Sequence, residues 1–140
     1  MSDVLVELVH AIDRLDWAGV RAAFADRLTL DYTSLSGGEP EELAAGELVG
    51  RWQGLLPGFE ATQHLLGPVL ATAGGVEAHV RAHHWIGGSV WTVAGHYVAG
   101  LTGDRITALR LDTYHQDGDL DLPATATARV ARGEVRPPTG

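Results

Sequence analysis

The stretch Val76 to Ile86, VEAHVRAHHWI, decides the fold, because its side chains alternate at a period of two. Such alternation is typical of a β-strand with one buried face. The apolar face collects Val80, Ala82, His84 and Ile86. His84 is the polar exception on this face, and a buried polar group without a hydrogen bond costs about 1–3 kcal/mol on mutational scales. The sequence therefore predicts that the rest of the chain forms the wall around this histidine and supplies its hydrogen-bond partners.

Composition limits the classes of function. The 140 residues fit one domain that can bury a sizeable core. A net charge of -8, with scattered basic residues, argues against nucleic acid or an anionic membrane as a partner. The absence of cysteine excludes disulfides, thiolate chemistry and cysteine-based metal sites. No apolar run approaches the roughly 20 residues of a membrane span, and the N-terminus lacks a secretory pattern. We expect a soluble, cytoplasmic domain.

Helical periodicity dominates the first part of the chain. An amphipathic helix is predicted over about residues 3 to 15, with Ser2 as its candidate N-cap and Asp13 at the border of its buried stripe. The apolar positions of this helix are Leu5, Leu8, Ile12 and Leu15. Asp16 can cap a second short helix, and Pro40 suits the first turn of a third. The segment 122–132 can add a last helix.

The second part of the chain has the pattern of strands joined by tight turns. Strands are predicted over 28–33, 61–72, 90–101 and 106–114, in addition to the opening stretch. Glycine pairs at Gly74–Gly75 and Gly87–Gly88 mark turns. This order predicts an α+β fold, a curved antiparallel sheet wrapped around the N-terminal helices to form a cone with an apolar pocket. The domain is expected over 1–132, with a flexible tail over 133–140.

Four short motifs carry a resemblance to a known family. They are Asp13-Arg14-Leu15-Asp16-Trp17, Leu30-Asp31-Tyr32, Thr62-Gln63-His64 and Arg81-Ala82-His83-His84. Their order resembles that in scytalone dehydratase, and more broadly the chain is similar to SnoaL-like members of the nuclear transport factor two-like superfamily. The likeness covers about residues 3 to 115. It implies a cone-shaped fold with a pocket whose residues catalyse the elimination of water from a hydroxy-ketone, without a metal or cofactor.

The resemblance also nominates site residues. The catalytic candidates are Asp13, Tyr32, His64 and His84. The expected substrate-pocket residues are Ile12, Trp52, His96, Ala99 and Leu101. Ile12 stands where the dehydratase has a tyrosine, and Ala99 and Leu101 correspond to its substrate-holding serine and asparagine. These departures imply that the class of chemistry is kept while the substrate differs.

The candidate residues suggest a mechanism. A carboxylate bonded to an imidazole fixes its tautomer and raises its basicity. In this hypothesis His84 removes a proton next to a carbonyl, Asp13 orients His84, and His64 with Tyr32 handles the leaving hydroxyl or the carbonyl oxygen. The protein would then be a lyase or isomerase acting on a small apolar, hydroxylated or polyketide-like molecule.

A non-catalytic reading stays open beside the enzymatic one. A histidine on an apolar strand face is often a hydrogen-bonded core residue, and each candidate alone fits a packing role. The alternative is a module of the same fold that only binds a small molecule or only dimerises.

Other patterns are weaker. His79 and His83 lie four residues apart on one strand, roughly 13 Å from one another, which is too far for shared metal ligation. An epoxide hydrolase is disfavoured because Arg81 falls on the outer face of the sheet. Trp85 and Trp91 are expected to point outward and to mark the contact of a homodimer or homotrimer.

Overall fold

The computed structural model describes residues 3–139, and their helices and strands are as follows. The helices are α1 (Val4–Arg14), α2 (Trp17–Ala23), α3 (Thr33–Ser36), α4 (Ala45–Gln53) and α5 (Leu122–Ala131). The strands are β1 (Phe24–Asp31), β2 (Glu41–Ala44), β3 (Ala61–Leu66), β4 (Leu70–Thr72), β5 (Gly75–Ile86), β6 (Ser89–Thr102) and β7 (Arg105–Gly118). A short 3₁₀ turn over Leu56–Gly58 follows α4.

The strands form one curved, unclosed sheet in the order β2-β1-β7-β6-β5-β3, with β4 also paired to β5. Register shifts between Ala94 and Gly95 and between Gly100 and Leu101 interrupt the β6–β7 ladder, and such bulges bend a sheet. The α+β fold with a curved sheet and N-terminal helices is confirmed. One pair departs from the antiparallel arrangement expected of the sheet, because β1 runs parallel to β7. Long connections separate these two strands in the chain, so nothing in a tight turn forces them to be antiparallel.

Helix α1 places Asp13 beside the sheet. The Asp3 carboxylate caps the helix by accepting from the Leu5 amide at 2.8 Å, whereas the expected cap, Ser2, lies outside the described residues. The helix ends at Leu15, which has a left-handed φ of 56°. Its buried stripe packs into the core, so Asp13, at the border of that stripe, faces β3.

Two segments differ from the sequence prediction. The helix expected from Pro40 begins only at Ala45, because Glu41–Ala44 forms β2 and pairs with β1. Leu43 explains the difference, since its buried side chain lies opposite Leu28 in the sheet. The single strand expected over 61–72 is divided into β3 and β4, both paired with β5.

The described part of the C-terminal segment, residues 133–139, lies against the domain. The Arg136 amide donates to the Pro57 carbonyl at 3.0 Å, and the Thr139 amide donates to the Arg14 carbonyl at 2.9 Å. The sequence predicts a flexible tail here, but these bonds bring it to the end of α1. Among residues 3–139, none of the helices has both the length and the apolar character needed to cross a membrane.

Helix α5 packs closely on the 3₁₀ turn. A Cβ atom built on Gly58 would lie 2.0 Å from the Ala126 carbonyl oxygen, a distance that backbone atoms cannot tolerate. The Gly58 carbonyl also accepts a 2.8 Å hydrogen bond from Arg129 Nε. Glycine is therefore required at position 58 so that α5 can cover this side of the core.

We predict that Gly58→Ala lowers the free energy of unfolding by about 2 kcal/mol or more, because either α5 or the turn must shift. Urea denaturation of the purified protein measures the change. The matched control is Gly50→Ala in α4, where a Cβ meets nothing within 4 Å. That control should raise stability by up to about 1 kcal/mol. Equal midpoints for Gly58→Ala and the wild type would contradict the close packing.

Candidate active site

A cavity of about 390 Å³ lies between the concave face of the sheet and the helices. Its wall is mostly apolar, with Ile12, Trp52, Val80, Val93 and Leu111 among its residues. The polar groups on the wall belong to Tyr32, Ser36, His64, His84, Tyr97 and Gln116. A cavity of this size and character, with a few convergent polar groups, is suited to a small molecule.

The best-defined polar interaction of the site joins α1 to β3. Asp13 Oδ1 lies 2.7 Å from His64 Nδ1, and Asp13 Oδ2 accepts from the His64 backbone amide at 2.8 Å. The Thr62 hydroxyl donates to Asp13 Oδ1 at 3.0 Å. Since a carboxylate can only accept, the His64 proton resides on Nδ1. Nε2 is then the ring nitrogen of His64 that is left for a ligand in the cavity.

His84 has a different partner. Its Nδ1 lies 3.0 Å from the Trp91 carbonyl oxygen, which also only accepts, and its ring stacks on the Trp91 indole at 4.3 Å. The expected support of His84 by Asp13 is therefore wrong as a direct contact, because the carboxylate is held on His64. The two imidazole rings are nevertheless neighbours, with centroids 5.8 Å apart.

Burial decides the charge of His84. Loss of solvent, and next the neighbouring His64, lower the pKa of His84 to about 4, against a weaker opposing effect of the bond to the Trp91 carbonyl. At neutral pH this imidazole is uncharged, with its proton on Nδ1. Its Nε2 is an acceptor, not an acid.

Two phenols form the other polar group of the cavity. The hydroxyls of Tyr32 and Tyr97 lie 3.2 Å apart. Burial, followed by the neighbouring phenol, raises the pKa of Tyr32 well above its usual value, and burial likewise raises the pKa of Tyr97. Both phenols are thus protonated. Because one hydroxyl donates to the other, the second O–H is free to donate to a ligand.

The structure brings some expected pocket residues together and excludes others. Ile12 and Trp52 line the cavity, as do the catalytic candidates Tyr32, His64 and His84. Asp13 lies behind His64, in a groove on the outside of the domain between α1 and β3. The cavity wall does not include His96, Ala99 or Leu101, which were expected there.

His96 faces the outer side of the sheet. Its Nε2 lies 3.5 Å from Glu77 Oε2, and its ring is 5.2 Å from that of His79. Strand parity accounts for this, since His96 alternates with Tyr97, which points inward. Ala99 and Leu101 share the inward parity of Tyr97 but lie further along β6, where Ala99 is buried in the packed core rather than in the cavity wall.

The cavity wall also contains residues that the sequence did not predict there, among them Trp91, Gln116 and Tyr97. Trp91 was expected to point outward, but it is 7% exposed and lines the cavity. Its Nε1 donates to Gln116 Oε1 at 2.9 Å, and Gln116 also reaches the wall. Tyr97 is another, and its alternation with Trp91 and Val93 along one strand was the signal that could have placed it there.

Within residues 3–139, no group of three or more His, Cys, Asp or Glu side chains is placed to hold a metal ion. Arg81 is exposed on the outer face of β5, as its parity predicts.

The family model that matches this chain is that of the SnoaL-like domain, over residues 1–105. The chain belongs to the SnoaL-like domain family. No curated protein matches it by sequence. The fold of this SnoaL-like domain is similar to that of several solved structures.

The protein Kfla4162 from Kribbella flavida is 24% identical, with a TM-score of 0.73 over 88% of this chain and 91% of that one. A protein from Novosphingobium aromaticivorans, provisionally named a scytalone dehydratase, is 12% identical, with a TM-score of 0.66 over 83% of both chains. An LEH-like epoxide hydrolase from Mycobacterium tuberculosis is 16% identical, with a TM-score of 0.64 over 93% of this chain and 90% of that one. At these identities the likeness shows the fold alone.

We predict that His84 makes stability depend on pH. The pKa of this histidine is about 6.5 in the unfolded chain and about 4 in the folded one, so between these values only the unfolded chain binds the proton. The free energy of unfolding should fall as pH falls from 6.5 to 4, by up to roughly 3 kcal/mol. Urea denaturation at pH 7 and pH 4.5 measures the loss.

Two variants isolate this contribution. His84→Gln should lose less stability between the two pH values than the wild type. His83→Gln, on the outer face of the same strand, should lose nearly as much as the wild type, because His83 is the weakest of the groups that shift the pKa of His84. An unchanged loss in His84→Gln would show that His84 does not carry this pH dependence.

Proposed function

We propose that this SnoaL-like domain is a cofactor-independent lyase or isomerase. In this proposal it moves a proton next to a carbonyl group of a small, largely apolar, hydroxylated or polyketide-like molecule. The observation that carries the proposal is the bond between Asp13 and His64, whose ring lies in the wall of the apolar cavity. This bond occupies Nδ1 and leaves Nε2 as the nitrogen that can accept a proton from a substrate. Proton removal next to a carbonyl needs a positioned base and a donor for the developing oxyanion, and the cavity offers both.

His64, rather than His84, is the proposed base. When His64 Nε2 takes a proton, the ring becomes a cation directly bonded to the Asp13 carboxylate, which stabilises it. Protonation of His84 instead places a charge in an apolar environment against a neutral carbonyl, and the lowered pKa of about 4 expresses that cost. The geometry thus favours the reverse of the roles expected from the family.

The tyrosine pair is the proposed oxyanion donor. As carbon loses its proton, negative charge develops on the carbonyl oxygen, and a hydroxyl of Tyr32 or Tyr97 can donate to it. The second phenol fixes the first through their 3.2 Å contact. A preorganised donor in an apolar cavity is effective because its dipole does not have to reorganise during the reaction.

Dehydration then balances without a further reactant. His64 takes the proton from carbon, and the C–H electron pair forms the enolate held by the phenol. When the enolate collapses to the conjugated alkene, the C–O bond breaks, and the hydroxyl leaves as water with the proton returned by His64. His84 Nε2, uncharged, can accept a hydrogen bond from the substrate hydroxyl and so position it. If no hydroxyl leaves, return of the proton at another carbon gives isomerisation.

We predict that Asp13→Asn and His64→Gln lower kcat about 10²–10⁴-fold on a β-hydroxy-ketone substrate, because general base catalysis contributes about that factor. The test screens apolar β-hydroxy-ketones and follows the absorbance of the conjugated enone. His83→Gln is the matched control. Its ring bonds to the Thr92 side chain on the outer face, so its turnover should equal that of the wild type.

Two results would count against the assignment. Wild-type turnover in His64→Gln would remove His64 from the reaction. Tight binding of the same ketones with no turnover, unaffected by His64→Gln, would favour the binding module instead. The packing of the His84 ring against Phe59 and Trp91, with centroids 4.9 and 4.3 Å away, fits a binding module as well as it fits an enzyme.

A further inference from the structure

Arg136, from the C-terminal segment, reaches the far side of the Asp13–His64 pair. Its guanidinium donates to the Asp13 backbone carbonyl at 3.1 Å and to the Thr62 hydroxyl at 3.3 Å. Arg136 does not line the cavity, so it cannot touch a substrate there. Its contacts instead connect α1 and β3, the two elements that carry Asp13 and His64.

The bond to Thr62 has a directional consequence. A hydroxyl has one proton and can accept through its lone pairs. When Thr62 accepts from Arg136, its only proton is directed to Asp13 Oδ1, 3.0 Å away. Asp13 Oδ1 is also the atom that holds His64 Nδ1. The chain of hydrogen bonds from Arg136 through Thr62 and Asp13 therefore ends at His64 Nδ1 and favours the tautomer with its proton on this nitrogen.

The charge of Arg136 acts in the same direction. Asp13 is the charged group that favours the cationic form of Arg136, partly offsetting the burial that lowers the pKa of this guanidinium. The Asp13 carboxylate can only accept, so its bond to His64 keeps the ring proton on Nδ1.

The backbone around Arg136 is held on both sides. The Arg136 amide is bonded to the Pro57 carbonyl, and the Thr139 amide to the Arg14 carbonyl next to Asp13. These two bonds fix the backbone that carries the Arg136 side chain. The C-terminal segment therefore holds the Arg136 guanidinium at one position beside Asp13.

We propose that Arg136 is a positioning residue, which fixes Asp13 and Thr62 so that His64 presents Nε2 to the cavity. Its catalytic consequence rests on the function proposed above, but its effect on His64 can be measured without any substrate.

The experiment uses the full chain with ¹⁵N-labelled histidine. The His64 ring signals are assigned by their loss in His64→Gln. In the wild type, NMR should show His64 protonated on Nδ1 at neutral pH. In Arg136→Gln and Thr62→Val, the Nδ1-protonated fraction should fall and the exchange of this proton with solvent should become faster, about tenfold. Arg136→Lys should restore part of the protection, because it keeps the charge.

Arg132→Ala is the matched control, since Arg132 pairs with Glu134 in the same segment, away from Asp13. It should leave both NMR signals unchanged. On a turned-over ketone, Arg136→Gln should lower kcat about tenfold to a hundredfold with little change in KM, because it disturbs orientation rather than binding. The double variant with Thr62→Val should lose less than the product of the two single losses, because both residues act on Asp13.

The outcomes separate the two proposals. An unchanged His64 tautomer and exchange rate in Arg136→Gln would overturn the positioning role, whatever the activity. An altered tautomer in a protein that turns over no ketone would support the positioning role while leaving the proposed reaction without support. Should Arg136→Gln fail to fold, Thr62→Val and Arg136→Lys report on the same chain of bonds.

Discussion

The site depends on one hydrogen-bonded carboxylate, that of Asp13, which joins the end of α1 to an edge strand. An edge strand leaves backbone amides without partners in the sheet. On β3 the His64 amide is one of these, and Asp13 accepts from it as well as from the His64 ring. Both bonds exist only if α1 ends beside β3. The left-handed turn at Leu15 and the bonded C-terminal segment fix that end, so features outside the site control the geometry of one imidazole.

The apolar wall gives the polar groups their character. The same loss of solvent that lowers the pKa of His84 also raises those of Tyr32 and Tyr97. One imidazole is kept neutral and two phenols are kept protonated, so the cavity contains donors and acceptors with little fixed charge. Asp13, whose side chain is 21% exposed, lies outside the wall in the groove. The Asp13 carboxylate therefore lies outside the cavity and acts on a ligand there only through its bond to His64.

Parity along single strands was predictable, and the arrangement of strands was not. Period-two alternation placed His84 on the inner face, helical periodicity placed Asp13 near the buried stripe, and the resemblance to the family nominated His64 and Tyr32. No local pattern states that β3 is an edge strand or that β1 runs parallel to β7, and the partner of Asp13 follows from that topology. Leu43 shows the same limit, because its burial against Leu28 makes a strand where Pro40 and two glutamates favour a helix. The assignment of His96 to the pocket was an error of a different kind, because alternation along its own strand already placed this side chain on the outer face of the sheet.

The division between the two imidazoles follows from where their strands lie. His64 and His84 both carry the proton on Nδ1, and both donate it to an oxygen. On the inner strand β5 the nearest acceptor is a backbone carbonyl of the neighbouring strand, which is neutral. On the edge strand β3 no further strand intervenes, so a side chain from a helix can reach the ring, and that side chain is a carboxylate. A carboxylate stabilises an imidazolium far more than a carbonyl does, because it carries a full charge. Position in the sheet, rather than the local sequence around either histidine, therefore decides which of the two rings is bonded to a carboxylate.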